Sequence, residues 1–284
     1  MRLRVVNTVI RSFDITYEQR VRDAILGYNY RRPVRAFMVV REIRAKCILS
    51  KSQVFDYAIN PYVGCEHGCA YCYARFMKRF TGHREPWGEF VDVKVNAPDL
   101  LGKEIVKKRR GRTWMSGVCD PYQPLERKYR LTRDCMAILV RHDCPVTVQT
   151  KSPLVLRDID VLKRSPQIEV GLSIATGDDK TRILFEPDAP PVTERISALD
   201  ELHHEGIRTY AMIAPMLPGA EELAARLGGK VDYVLVDRMN YHYGDWVYKK
   251  HDLGNARSGE FFYSKGKELA SAFAKQGIEC RLVS

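Results

Sequence analysis

No stretch of the 284-residue chain stays apolar for the roughly 20 residues that a bilayer span requires, so a transmembrane helix is not expected. The opening residues, MRLRVVNTVIRSFD, are broken by charge too early for a secretory leader, and a cytoplasmic protein is expected. There is no internal repeat, no low-complexity tract, and no match to a zinc finger or RRM. His203 and His204 lack HExxH spacing and read as solvated surface. A disulfide framework would be odd too. Of eight cysteines, three crowd into one short stretch, while Cys47, Cys119, Cys135, Cys144 and Cys280 are scattered, which fits reduced thiols in a reducing compartment.

What the chain does have is positive charge and enough apolar residue, 45%, to fill a core. The net charge is +11, and residues 1–51 hold 12 Lys and Arg against 4 Asp and Glu. This basic N-terminal extension, with Tyr28, Tyr30, Phe37 and the pair Arg31-Arg32, suits a nucleic acid as partner and equally suits a solvated basic face. The remainder, 52–284, reads as one domain.

Its focus is NPYVGCEHGCAYCYARFMKRF, residues 60–80, with Cys65, Cys69 and Cys72 spaced CxxxCxxC. Thiolates are the soft ligands that iron clusters select, and three of them leave one iron of a 4Fe4S cluster open for chemistry. A structural zinc would need a fourth ligand. His67 lies inside the same short loop, where closing on the same metal is strained, so zinc is the less favoured alternative. Gly64 and Gly68 allow close backbone approach, and Tyr71 and Tyr73 flank the last thiol as candidate cofactor contacts. With its aromatic residue just before the third cysteine, this pattern resembles the signature of radical S-adenosylmethionine enzymes. The longer string NPYVGCEHGCAYCYAR resembles the spore photoproduct lyase-like, or DNA repair photolyase-like, branch. That resemblance implies a 4Fe4S cluster, S-adenosylmethionine, and an electron donor such as flavodoxin or ferredoxin.

Hydrophobic periodicity sets the fold class. Strands are expected near 55–60, 91–95, 112–118, 145–150, 168–175, 207–213 and 231–237. A helix begins at Ala74, and others fall near 98–108, 131–142, 156–164, 192–206, 219–227 and 260–276. Alternation of this kind means a parallel sheet, either open and doubly wound or a partial barrel. The resemblance implies the second, a partial (β/α)6 barrel with the cluster at its C-terminal mouth, where strand-end residues carry function.

Unusual polar residues cluster at those strand ends. After the second barrel strand, SGVCDPYQPLE lacks the glycine-glycine-glutamate segment of many radical S-adenosylmethionine enzymes. Asp120 is the substitute carboxylate for the cofactor amino group, with plain turn chemistry as the competing explanation. DPYQPLE followed by LTR at 131–133 resembles the second motif of the lyase-like group and makes Tyr122 a catalytic candidate. Lys151 is the candidate for the cofactor carboxylate, and Ser173 for its ribose or carboxylate. Arg195 is expected to hold Glu186 or an anionic cofactor group; a surface ion pair would also account for the two. Met212 and Met216 read as packing residues. DRMNYHYGDW, with Arg238, Asn240, Tyr241, His242, Tyr243 and Trp246, could read an unpaired base or close the barrel.

The superfamily resemblance implies reductive cleavage of S-adenosylmethionine to methionine and a 5'-deoxyadenosyl radical, which takes hydrogen from substrate carbon. In spore photoproduct lyase a cysteine then returns hydrogen, and Cys119 is the candidate here. Alignment on Asp120, however, puts Gly117 at the family cysteine position, two residues away. Nucleic-acid repair or modification, modification of a protein or small molecule, and a non-catalytic metal-bearing nucleic-acid-binding protein all stay open.

Overall fold

The computed structural model describes residues 38–283. The main layer is an eight-stranded sheet in the order β11-β10-β9-β8-β7-β6-β3-β2. In chain order its strands are β2 (Leu49–Lys51), β3 (Tyr57–Ile59), β6 (Thr113–Met115), β7 (Val146–Thr150), β8 (Ile168–Ser173), β9 (Arg208–Ile213), β10 (Tyr233–Val236) and β11 (Glu279–Leu282). Every neighbouring pair from β3 to β11 is parallel, and only β2 runs antiparallel, against β3. The two edge strands do not pair with each other, so the sheet is the expected partial barrel with an open side. Short apolar runs form these strands because parallel sheets are covered on both faces. Every residue of β8, IEVGLS, is buried. Its Gly171 is required by close approach: a Cβ there would stand 2.1 Å from the ring of Tyr210 on β9.

The strand expected near 91–95 exists as β5 (Phe90–Lys94), but it belongs to a second, three-stranded sheet between β1 (Val39–Ile43) and β4 (Tyr62–Val63). Its alternation was legible, whereas its partners lie about 30 to 50 residues upstream. The strand expected over 112–118 stops at Met115, since Asn60 Oδ1 accepts from Ser116 Oγ, Gly117 N and Val118 N and turns the chain aside. The final strand, β11, was not expected.

The long helices fall where periodicity placed them: α1 (Ala97–Ile105), α2 (Leu131–Arg141), α4 (Val192–His204) and α5 (Gly259–Ala274). In α4, Val192, Ile196, Leu199 and Leu202 are buried at helical spacing against β8 and β9. The helix α3 (Asp179–Phe185) was not expected, although Asp178 caps it by accepting from Lys180 N and Thr181 N. Tyr73–Phe80 is a 3-10 segment instead of an α-helix. The expected helices near 156–164 and 219–227 are likewise short 3-10 turns followed by one turn of α-helix. No helix among the described residues is long and apolar enough to cross a membrane.

β1 and β2 come from the basic segment 1–51 and are hydrogen-bonded into the two sheets. Tyr28, Tyr30, Arg31, Arg32 and Phe37 lie outside the described residues.

The two sheets are joined by buried charge. Glu126, fully buried, accepts from the Tyr62 hydroxyl at β4, from Thr132 N at 3.1 Å, and from Arg157 at 2.9 Å. Arg157 also pairs with Asp158 at 2.7 Å. Glu126→Ala leaves a buried guanidinium and hydroxyl without this acceptor. The expected loss is about 3 kcal/mol, read as a lower urea midpoint at unchanged slope.

Candidate active site

The three thiols sit on the loop between β4 and the 3-10 segment, at the C-terminal end of the parallel strands. All are free; Cys65 and Cys69 are buried and Cys72 is partly so. Gly64, at φ +90°, makes the loop possible, since a Cβ there would meet Phe90 O at 2.3 Å. Hydrogen bonds from Gly68 N to Cys65 O and from Cys72 N to Cys69 O fold it tightly. Ala70 N anchors it to Phe185 O at 2.8 Å. Burial raises each thiol, Cys65 well above its ordinary value and Cys69 to about 12, and each is near enough to another of the three to be pushed further the same way or to do the pushing.

The donor set therefore suits a cationic iron cluster: three soft ligands in a dry loop, whose combined deprotonation needs positive charge nearby. His67 does not join them. Its Nε2 faces Asp120 Oδ2 at 3.1 Å and its Nδ1 faces Asp188 O at 3.4 Å, so it is committed as a strut. Among the described residues, no three His, Cys, Asp or Glu side chains gather as they would around a single metal ion.

Behind the loop lies a buried charged group. The Tyr71 hydroxyl donates to Glu186, whose other oxygen is 2.6 Å from Arg195 Nη1, while Lys151 Nζ stands 3.8 Å from Glu186 Oε1. Arg195 also donates to Ser173 O and Pro190 O, both at 2.9 Å. Burial would raise Glu186, but Arg195 and Lys151 outweigh it and hold the carboxyl low. Burial would lower Lys151, but Cys69 and Glu186 prevail and raise it. Of the two expected roles for Arg195, holding Glu186 is the one observed. The Ser173 hydroxyl accepts from Gln149 Nε2 at 3.1 Å. Tyr71, Lys151, Ser173 and Arg195 are thus gathered beside Cys69.

Asp120 occupies a different position from a free cofactor ligand. Its oxygens accept from Tyr122 N at 2.9 Å, Thr150 Oγ1 at 2.5 Å and Lys151 N at 2.7 Å, and they face His67. Tyr122 is not at the mouth. It is fully buried in the main core, with Arg157 over its ring and Asp158 beside its hydroxyl, so the catalytic expectation is corrected to packing. The DPY turn directs Asp120 to the mouth and sends Tyr122 inward. Cys119 is half-buried, 3.0 Å from Ser116 Oγ, and burial raises it to about 11.

Sequence reasoning missed the loop's supports. Glu66 accepts from Leu125 N at 2.7 Å, and Gln123 accepts from Glu66 N at 3.0 Å, so PYQPLE clamps the thiol loop. Asn60 fixes residues 116–118. A conspicuous feature of the sequence, the DRMNYHYGDW segment, does reach the loop. Tyr241 stacks on Tyr73 at 5.8 Å, Tyr243 stacks on Tyr241 at 6.2 Å, and Arg75 lies 4.9 Å over Tyr243. His203 and His204 are remote from the mouth, at the end of α4.

With this geometry in place, the comparisons identify the class. The model of the radical SAM superfamily matches residues 59–222, which include the thiol loop, Lys151, Glu186 and Arg195. The chain belongs to that superfamily, whose members use a 4Fe4S cluster and S-adenosylmethionine, and it is a radical S-adenosylmethionine enzyme. It is similar to an uncharacterised protein of Methanocaldococcus jannaschii, 38% identical over 179 residues, covering 62% of this chain and 67% of that protein. A radical SAM Nα-GlyT isomerase of Pseudomonas phage M6 is 29% identical over 162 residues, 56% of this chain and 33% of that protein. In fold the chain is similar to spore photoproduct lyase complexed with dinucleoside spore photoproduct. The TM-score is 0.64 at 16% identity, over 99% of this chain and 88% of that one.

The Asp120 contacts carry a pH signature. Burial alone would raise this carboxyl, but His67, Thr150 and the Lys151 amide hold it at about 2, below the 3.8 of a free aspartate. A depressed folded pKa stabilises above the unfolded value and is lost as pH falls through the folded one. Asp120 should therefore contribute on the order of 2 kcal/mol near neutrality, disappearing between about pH 4 and pH 2. In urea titrations, the stability gap between parent and Asp120→Asn should be full at pH 6 and shrink across that window, roughly in step with protonation.

Proposed function

We propose that Cys65, Cys69 and Cys72 hold the 4Fe4S cluster, that S-adenosylmethionine binds beside Lys151, and that the substrate is a nucleic acid. The observation that carries the cofactor assignment is the union, in one buried mouth, of three free thiols with the Tyr71–Glu186–Arg195–Lys151 group. When bound, cluster and cofactor supply one-electron cleavage of the sulfonium to methionine and a 5'-deoxyadenosyl radical.

The chain's own residues orient and enclose. Lys151, 15% exposed and the more exposed of the two cations facing Glu186, offers its ammonium to the cofactor carboxylate. Glu186 and Arg195, both fully buried, fix Tyr71 over the loop and the end of β8 behind it. Ser173 shares its hydroxyl between Gln149 and the cofactor. Asp120, saturated by protein donors, acts as a positioning residue that sets the Lys151 backbone against the thiol loop. Tyr73 faces the substrate side. Cys119 is the thiol assigned to returning hydrogen, and the absence of a cysteine at Gly117 favours base modification over lesion reversal. The excess positive charge and the fold shared with a lyase complexed with a dinucleoside lesion support a nucleic-acid substrate. The electron is assigned to a flavodoxin- or ferredoxin-type donor.

Anaerobic reconstitution, reduction with dithionite and quantification of 5'-deoxyadenosine test the reading. The parent should cleave S-adenosylmethionine and Cys69→Ala should not. Lys151→Ala should retain the cluster absorbance while raising the KM for S-adenosylmethionine by about tenfold or more. A fully loaded parent that neither cleaves the cofactor nor changes its EPR signal on adding it would return the protein to a non-catalytic metal-bearing role.

A further inference from the structure

At the rim of the thiol loop, three tyrosine rings form a ladder that packing does not explain. Tyr73, Tyr241 and Tyr243 are nearly parallel, inclined by 21° and 17° between neighbours, yet they are 37%, 50% and 39% exposed. Rings recruited to fill a core would be covered; these stay over a third exposed at the rim, with Tyr241 between the other two and Arg75 over Tyr243. The ladder is also tied to its surroundings. The Tyr73 hydroxyl donates to Gly117 O, and Arg75, lying over Tyr243, donates to Ala70 O at 2.8 Å within the loop itself. Gly244 presses the segment onto the loop so closely that a Cβ there would stand 3.2 Å from Tyr71 Cβ.

Cations adjoin the rings on the same 3-10 segment, YARFMKRF, which carries Arg75, Lys78 and Arg79 and no acidic residue. Arg79 lies 4.6 Å over the exposed ring of Phe80. Open aromatic faces interleaved with cations are the recognition chemistry of unpaired nucleotides: bases stack on rings, and phosphates follow the basic edge. A duplex has already used its base faces for its own stacking and offers none to the ladder.

From this geometry we infer that the Tyr73–Tyr241–Tyr243 ladder is a stacking platform for single-stranded nucleic acid, holding an unpaired nucleotide at the rim of the thiol loop. The inference deepens the nucleic-acid reading above and rests on it for what happens to the strand, but not for the binding itself. Electrostatic affinity from the basic segment 1–51 would favour the duplex, whose charge density is the higher, and so cannot produce a preference for the single strand. The preference between them therefore reports the ladder.

The test uses the full-length reconstituted protein under anaerobic conditions, with fluorescence anisotropy of a labelled strand of about 12 nucleotides, the same sequence as a duplex, and a mixed-sequence peptide. The single strand should bind at least about tenfold tighter than the duplex, and Tyr241→Ala with Tyr243→Ala should abolish that preference. Tyr241→Trp, which keeps a stacking face, should retain it. In each variant, 5'-deoxyadenosine formation without substrate should equal that of the parent, which separates this platform from the cofactor assignment. Equal binding of strand and duplex by the parent, or an unchanged preference in the double alanine variant, overturns the inference. Tight peptide binding lost in that variant, with no preference for the strand, overturns it in favour of a peptide substrate. A parent that prefers the strand but never cleaves S-adenosylmethionine leaves the platform standing and removes the radical reading.

Discussion

Asp120 ties together three stretches that the chain keeps far apart: the thiol loop through His67, the end of β7 through Thr150 and Lys151, and its own turn through Tyr122 N. A buried carboxylate is costly unless its lone pairs are filled, and here protein donors surround both oxygens. The site's geometry depends on that saturation. It fixes Lys151 against Cys69 and Glu186, so the mouth's charge arrangement is set by the protein's own contacts. Preorganisation of this kind is what a site on strand ends can provide and a free loop cannot.

Around that node, buried charge is arranged in two separate groups with different tasks. The Glu126–Arg157–Asp158 group lies behind the mouth and joins the small sheet to the barrel. The Glu186–Arg195 pair lies under Tyr71 and has a second cation, Lys151, only 3.8 Å away. Cys69, Glu186 and the nearby Asp120 together hold Lys151 in its charged form against the cost of burial. Buried pairs of this sort are weak sources of stability, and their value here is in position.

The open side of the barrel gives the chain its polarity of function. Thiols and buried charges occupy the inner mouth, and the tyrosine ladder stands at the rim, where Tyr73 opens the 3-10 segment after the loop and Tyr241 and Tyr243 follow β10. The thiol loop and the ladder are thereby neighbours, joined at Tyr73, which follows Cys72 directly.

Local pattern was enough for much of this. The sequence by itself determined the CxxxCxxC loop with its glycines, and the alternation of apolar strands with amphipathic helices, because both are short-range: a spacing of a few residues, or a period of two or 3.6. It also placed Lys151 and Ser173 at strand ends and Arg195 at the start of a crossover helix. Only tertiary structure decided where side chains point and which strands pair. Periodicity found 91–95 but could not assign it to a second sheet, since pairing partners are set by long-range packing and not by the strand's own residues. DPYQPLE was visible as a motif. That Asp120 faces the mouth while Tyr122, two residues on, is buried depends on one turn. His67 looked like a possible metal ligand until Asp120, more than fifty residues later, took its ring nitrogen. The tyrosine ladder, likewise, unites residues nearly 170 positions apart, a distance over which sequence pattern carries no geometry.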